Sequence, residues 1–236
     1  MKIYAISDLH LSGENVTKPM NIFTSFTKEY LDKVIKNWEE IVENDDIVLI
    51  CGDISWAMYL KDAKYDLDFI GRLKGIKVIV KGNHDYWWKS ISGLRAVLDD
   101  NIFALQNDSI RFENVVICGT RGWTVPEPKT EIKKEDLEDI KIRNREVERL
   151  RLSLNDAKAK QKEGDALICM MHFPPINSEL EDNGFTMLFK EFKVDKVVFG
   201  HLHGPKILTP LYQVRNNIEY YLTSCDKVNN NLVRIL

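Results

Sequence analysis

The chain contains five histidines, and each stands at or just beyond the end of an apolar run. They lie in Asp8-Leu9-His10, Gly82-Asn83-His84-Asp85, Met171-His172-Phe173-Pro174 and Gly200-His201-Leu202-His203-Gly204. A further apolar run ends in Cys51-Gly52-Asp53, with a carboxylate where the others carry an imidazole. Ligands of open α/β sheets collect at the carboxyl ends of the strands. Asp8, His10, Asp53, Asn83, His84, His172, His201 and His203 can therefore converge in space although they are far apart in sequence. The set offers imidazole nitrogens, carboxylate oxygens and one amide oxygen, which suit Mn²⁺, Fe²⁺ or Zn²⁺. There are too many donors for one ion, and two ions suit the number better. In extended chain, residues i and i+2 point to the same side, so Asp8 with His10, and His201 with His203, are each expected to aim into one site. A single histidine at a strand end is more often a hydrogen-bonded bystander than a ligand. That all five fall in such positions argues against the bystander reading.

The order Asp-x-His, Gly-Asp, Gly-Asn-His-Asp, His and Gly-His-x-His, spanning residues 8 to 203, resembles the calcineurin-like metallophosphoesterases. The resemblance implies an α/β fold: a four-layer α/β/β/α sandwich with two mixed sheets. It also implies a dinuclear phosphohydrolase acting on a phosphomonoester or phosphodiester, with a metal-bridging hydroxide attacking phosphorus. Carried over position by position, Asp8, His10, Asp53 and His203 hold one ion. Asp53, Asn83, His172 and His201 hold the other, with Asp53 bridging. His84 binds no metal and assists the leaving oxygen as the catalytic acid. The expected ions are two divalent cations among Mn, Fe and Zn, with Mn expected to serve in vitro. An acid of the His84 kind typically contributes about 10²–10⁴-fold.

Other residues bear on the substrate. Asp85 can hold the His84 ring, steady the loop, or be an ordinary loop carboxylate. Tyr86-Trp87-Trp88 follow directly, and Trp87 and Trp88 can form an aromatic platform or anchor the next helix in the core. On a helix, adjacent residues face apart, so the two tryptophans are not expected to share one role. Arg121, in Gly119-Thr120-Arg121-Gly122-Trp123, ranks first as a phosphate clamp, against the commoner fate of a surface salt bridge. Trp56 is a weaker candidate. Protein Ser/Thr phosphatases of the superfamily carry Asp-Arg-Gly soon after Gly-Asp, whereas here Gly52-Asp53 continues Ile54-Ser55-Trp56-Ala57-Met58-Tyr59. The missing arginine argues against that kind of phosphatase; the sequence more closely resembles the small bacterial-type phosphohydrolases of the superfamily, whose substrates vary widely, and a small-molecule phosphoester is the expected substrate. The alternatives are a nuclease or cyclic-nucleotide phosphodiesterase with the same site, and a non-catalytic metal-binding scaffold.

These residues need a scaffold, and the hydropathy pattern describes one. Strands are expected at 2–7, 46–51, 76–81, 102–106, 109–112, 115–119, 166–171, 196–199, 207–214, 218–223 and 231–235. Helices are expected at about 24–43, 60–73, 87–98, 134–162 and 183–192. Alternation of strand and helix implies parallel strands with crossover helices. The late strands suggest antiparallel hairpins turning at Asn216-Asn217 and Asn229-Asn230-Asn231. In the segment 134–162, Leu137, Ile140, Val147, Leu150, Leu154 and Ala157 form one apolar stripe.

With 236 residues, 44% of them hydrophobic, the chain can bury a core as a single domain over 1–236. A net charge of −3 and a pI of about 6.0 exclude a generally basic nucleic-acid coat, so nucleic acid is not the expected partner. No apolar stretch approaches the ~20 residues of a membrane span. Asp8 interrupts the first apolar run, which does not fit a signal peptide, so a cytoplasmic location is expected. Cys51, Cys118 and Cys169 sit in apolar runs as small hydrophobes of a reducing compartment, and Cys225 has no neighbouring histidine to activate it.

Overall fold

The computed structural model describes residues 1–13, 29–128, 136–204 and 209–236. The expected helical positions 24–28 and 134–135 and strand positions 207–208 lie outside the described residues. In chain order the elements are β1 (Ile3–Ile6), α1 (Tyr30–Ile41), β2 (Ile47–Ile50), α2 (Leu60–Arg72), β3 (Ile76–Ile79), α3 (Ile91–Arg95), β4 (Ile102–Ala104) and β5 (Ser109–Phe112). They continue with β6 (Val115–Thr120), α4 (Asp136–Lys160), β7 (Ala166–Met171), α5 (Gly184–Glu191), β8 (Lys196–Phe199), β9 (Tyr212–Arg215), β10 (Ile218–Leu222) and β11 (Val233–Arg234).

The strands make two mixed sheets. One has the order β11-β1-β2-β3-β4, with β1 to β4 parallel and β11 antiparallel to β1. The other has the order β5-β6-β7-β8-β10-β9, with β6, β7, β8 and β10 parallel and the edge strands β5 and β9 antiparallel. The central strands are apolar on both faces because both faces are covered. Ile3, Ala5, Ile47, Leu49 and Val78 of the first sheet meet Val115, Ile117, Ile168, Met170 and Val198 of the second between the sheets. Tyr4, Ile6, Val48 and Ile50, on the other face of the first sheet, pack against Val34 and Trp38 of α1 and Leu67 and Ile70 of α2. Val116, Cys118, Leu167 and Cys169 pack against Leu150 and Leu154 of α4 and Phe185 and Leu188 of α5. The result is the α/β/β/α sandwich.

Four expectations need correction. Asn216 and Asn217 do turn the β9–β10 hairpin in left-handed conformation, at φ 53° and 62°. Asn229 and Asn230 are left-handed too, yet they make no second hairpin: β11 leaves the sheet of β10 and pairs with β1. The helix expected over 87–98 is reduced to α3, with Ser90 as its N-cap, accepting from the Gly93 N–H. Trp87 and Trp88 precede it and are both buried in the core under the first sheet, with ring centroids 5.7 Å apart. They share one role because the backbone there is not helical. In α4 the stripe is buried at Leu150, Leu154 and Ala157, whereas Leu137 is half exposed.

Leu154 is fully buried and Leu152, two residues away, is 57% exposed. Leu154→Ala should cost about 2–5 kcal/mol of stability in urea unfolding. Leu152→Ala should stay within about 0.5 kcal/mol.

Candidate metal centre

The carboxyl ends of β1, β2, β3, β7 and β8 point to one edge of the sandwich, and the loops that follow them carry the chemistry-bearing residues. Donor atoms of Asp8, His10, Asp53 and His203 all lie within 4.8 Å of one another. Those of Asp53, His172 and His201 do the same, so Asp53 belongs to both groups. Asn83 joins the second, with its Oδ1 2.6 Å from His172 Nε2 and 2.9 Å from His201 Nδ1. His172 Nε2 is 3.5 Å from Asp53 Oδ2, and His10 Nε2 is 3.7 Å from the same oxygen. His203 Nε2 is 3.1 Å from Asp8 Oδ1 and 3.4 Å from His10 Nε2.

The approach to the site is not extended chain. Asp8, His10, Asp53 and His201 have φ of 61°, 48°, 52° and 71°. Non-glycine residues seldom occupy this region, and such strain concentrates at functional sites. The expectation that Asp8/His10 and His201/His203 converge by strand alternation is therefore corrected: tight left-handed turns aim them. Gly52, at φ 87°, leaves no room for a side chain, since a Cβ would stand 2.7 Å from His172 Nδ1 and 2.8 Å from Gly82 Cα.

Asp85 fixes the loops. It is fully buried, and its carboxylate accepts backbone N–H groups of Gly82, Asp53, Ile54 and Ser55 and the Trp87 Nε1–H, at 2.7–3.2 Å. It ties the Gly52–Ser55 turn to the Gly82–Trp87 turn. It does not hold the His84 ring, so of its three readings the loop-steadying one describes its contacts. Asp53 in turn accepts the His84 N–H at 2.8 Å. Asp8 accepts the Ser7 hydroxyl at 2.6 Å and the His201 N–H at 3.0 and 3.2 Å.

The tautomers follow from acceptor-only partners. The Cys51 carbonyl stands 3.0 Å from His172 Nδ1, so the proton sits there and Nε2 presents a lone pair toward Asn83 Oδ1. Two lone pairs 2.6 Å apart repel unless a cation lies beside them. Burial, helped by the neighbouring imidazoles and opposed by Asp8, pushes His172 down to about 4 and His10 to about 3. Neutral imidazoles of this kind are the form that ligates metals. Burial, with Asp85 and Asp8 nearby, raises the Asp53 carboxyl well above the ordinary carboxylate range. Burial opposes ionisation of Asp8, but His203, His172 and His10 outweigh it and hold the carboxyl low. His203 is the exception: burial disfavours its charge, yet Asp8 and Asp226 overcome this and raise it to about 10. Its imidazolium proton lies between carboxylates where a metal ion would displace it. Crowded carboxylates, lone pairs facing one another and a proton standing in for a cation all fit divalent metal.

Sequence reasoning missed Asp226. Its Oδ1 is 3.2 Å from His203 Nδ1, and its Oδ2 accepts the Gly204 N–H at 2.8 Å. Nothing in Thr223-Ser224-Cys225-Asp226 announces a partner 23 residues away. Cys225 is buried and its thiol, pushed up by burial, donates to the Asp8 carbonyl at 3.1 Å, so it is no nucleophile. Trp56 stacks on His10 with centroids 4.6 Å apart and also lies 4.6 Å from the His84 ring.

His84 lies beside the cluster, 5.6 Å from the His10 ring, and belongs to neither donor group. Tyr86 meets its edge at 6.1 Å and is exposed. Trp87 and Trp88 follow the core-anchor reading rather than the platform: both are buried, and Trp88 also lines a small cavity with Lys81 and Arg121. Arg121 gives its carbonyl to the His172 N–H at 3.1 Å, while its guanidinium lies 3.5 Å from Glu146 and over the Trp123 ring at 4.7 Å. It stands apart from the donor groups.

Residues 1–205 match the family model described as calcineurin-like phosphoesterase. The chain belongs to that family. An uncharacterized protein of Methanocaldococcus jannaschii is 37% identical over 84 residues, which are 36% of this chain and 47% of that one. The match thus spans about half the length of that relative. Among solved structures, the protein TT1561 of Thermus thermophilus superposes with a TM-score of 0.54 at 12% identity, covering 99% of this chain and 97% of that one. A protein of unknown function from Aquifex aeolicus, AQ665, has a TM-score of 0.51 at 17% identity, covering 99% and 95%. Both likenesses are of fold. No described helix is long and apolar enough to cross a membrane.

Ligand imidazoles are oriented by the group on their other nitrogen. Asp226→Asn should therefore weaken divalent-cation affinity about 10–100-fold, as measured by competition with a chromophoric chelator.

Proposed function

We propose that the protein is a phosphohydrolase that uses two divalent ions to cleave a phosphomonoester or phosphodiester of a small molecule. The observation that carries this reading is the pair of donor groups sharing Asp53. Asp8, His10, Asp53 and His203 would hold one ion, and Asp53, Asn83, His172 and His201 the other. Mn²⁺ is the ion we propose for activity in vitro, since the donors are nitrogen and oxygen and include no thiolate. Bound there, the pair would supply Lewis acidity toward the phosphoryl group and activate water for attack.

The protein's own groups do the rest. The Cys51 carbonyl and Asp226 fix protons on the Nδ1 atoms of His172 and His203, so that both Nε2 atoms face the site. Asp8 and Asp53 supply the negative charge that balances the ions. His84, outside both donor groups, half-buried and flanked by Trp56 and Tyr86, is placed to give a proton to the leaving oxygen. The four cysteines are free and buried, which supports a reducing, cytoplasmic setting.

The test is release of p-nitrophenol from its phosphate mono- and diester by metal-stripped protein reloaded with Mn²⁺. Turnover should require the metal, and Asp53→Asn should abolish it. His84→Ala should lower turnover by about 10²–10⁴-fold with both ions still bound. Wild-type turnover by Asp53→Asn with every metal tried would contradict the mechanism.

A further inference from the structure

A cavity of about 160 Å³ opens among the β3–α3 loop, the β4–β5 loop, the end of β6 and α4. Its walls carry four cations, Lys81, Lys89, Arg121 and Arg149, and one carboxylate, Glu146. Glu146 is buried and already committed. It accepts the Thr120 hydroxyl at 2.6 Å and Arg149 Nη1 at 2.6 Å, and lies 3.5 Å from Arg121 Nη2. One carboxylate cannot neutralise four cations. Lys81 Nζ donates to the Trp88 carbonyl at 2.7 Å and faces no carboxylate of its own on the cavity wall. Arg121 Nε is buried with no hydrogen-bond partner among the described residues. A buried guanidinium N–H without an acceptor is costly, and guanidinium pairs best with planar or tetrahedral oxyanions.

Two chain segments link the cavity wall to the metal centre. Lys81 immediately precedes Gly82-Asn83-His84, and the Arg121 carbonyl receives the His172 N–H. The volume suits one phosphate or carboxylate group. We propose that this cavity is a subsite for a second oxyanion of the substrate, a phosphate or carboxylate borne on the same molecule as the scissile ester. The proposal rests on the phosphoesterase reading above and narrows it to substrates with two anionic groups.

The test uses the double variant Lys89→Ala/Arg149→Gln. Lys89 is exposed and the Arg149 side chain is 41% exposed, Gln keeps a donor for Glu146, and thermal unfolding checks that the fold is kept. Inorganic phosphate is titrated calorimetrically into chelator-treated, metal-free protein. Wild type should bind it, and the variant should bind it at least about tenfold more weakly. Equal affinity in both proteins, or no binding by wild type, would overturn the proposal. The Mn²⁺-loaded proteins are then compared on a sugar monophosphate and the matching sugar bisphosphate. The ratio of kcat/KM for bisphosphate over monophosphate should fall about tenfold in the variant. An unchanged ratio alongside weakened phosphate binding would mean that the cavity takes free phosphate, which overturns the substrate assignment. If phosphate binding depends on the cavity but no phosphoester is turned over, the phosphoesterase reading fails and the anion cavity survives it.

Discussion

Asp53 is a carboxylate buried at the point where two sets of metal-type donors meet, and its placement governs everything around it. A carboxylate this deep, with Asp8 and Asp85 close by, is held there only at a substantial electrostatic cost. Asp85 meets part of that cost for itself by accepting five N–H groups, and in doing so locks together the two turns that carry Asp53 and Asn83-His84. Hydrogen bonds to a charged acceptor are worth about 1.5–3 kcal/mol each, so the clamp is strong. What the clamp leaves uncompensated is the charge facing the donor groups, a setting that suits bound divalent metal.

The sandwich exists, in functional terms, to bring the edges of two sheets together. Asp8, Asp53 and Asn83 follow β1, β2 and β3 of one sheet, while His172 and His201 follow β7 and β8 of the other. Neither sheet alone completes either donor group. Residues 223–226 join the two halves: Thr223 receives the Ser7 N–H and gives its own to Phe199, and Cys225 gives its N–H to Ser7. The same short segment supplies Asp226 to His203. The left-handed turns at Asp8, His10, Asp53 and His201 can persist because packing on both sides over-determines them.

Much of this was legible in the sequence because strands buried on both faces read as continuous apolar runs, and their ends are marked by the residues that must leave the core. The central strands β1, β2, β6, β7 and β8 follow such runs, whereas the edge strands β5, β9 and β11 do not. Aspartate, asparagine and histidine at those ends flagged the site. The geometry that aims them was not legible, because φ at Asp8 or His201 depends on tertiary contacts and not on local pattern. Asp226 escaped notice for the same reason, its role being defined wholly by a distant histidine. For Trp87 and Trp88 a platform and a core anchor were equally open, because whether an aromatic beside the proposed acid is buried depends on tertiary packing and not on local pattern, and both proved to be core. The path of β11 from one sheet to the other was equally hidden, since an asparagine turn predicts a reversal of the chain and not its partner.

The central claim is that one carboxylate serves two ions. Electron paramagnetic resonance of Mn²⁺-saturated protein, with the bound metal counted in parallel, tests it directly. The account predicts two Mn²⁺ per chain and the signal of a spin-coupled pair, replaced by that of isolated Mn²⁺ in Asp53→Asn. A single uncoupled Mn²⁺ per chain in the wild-type protein at saturation would contradict it.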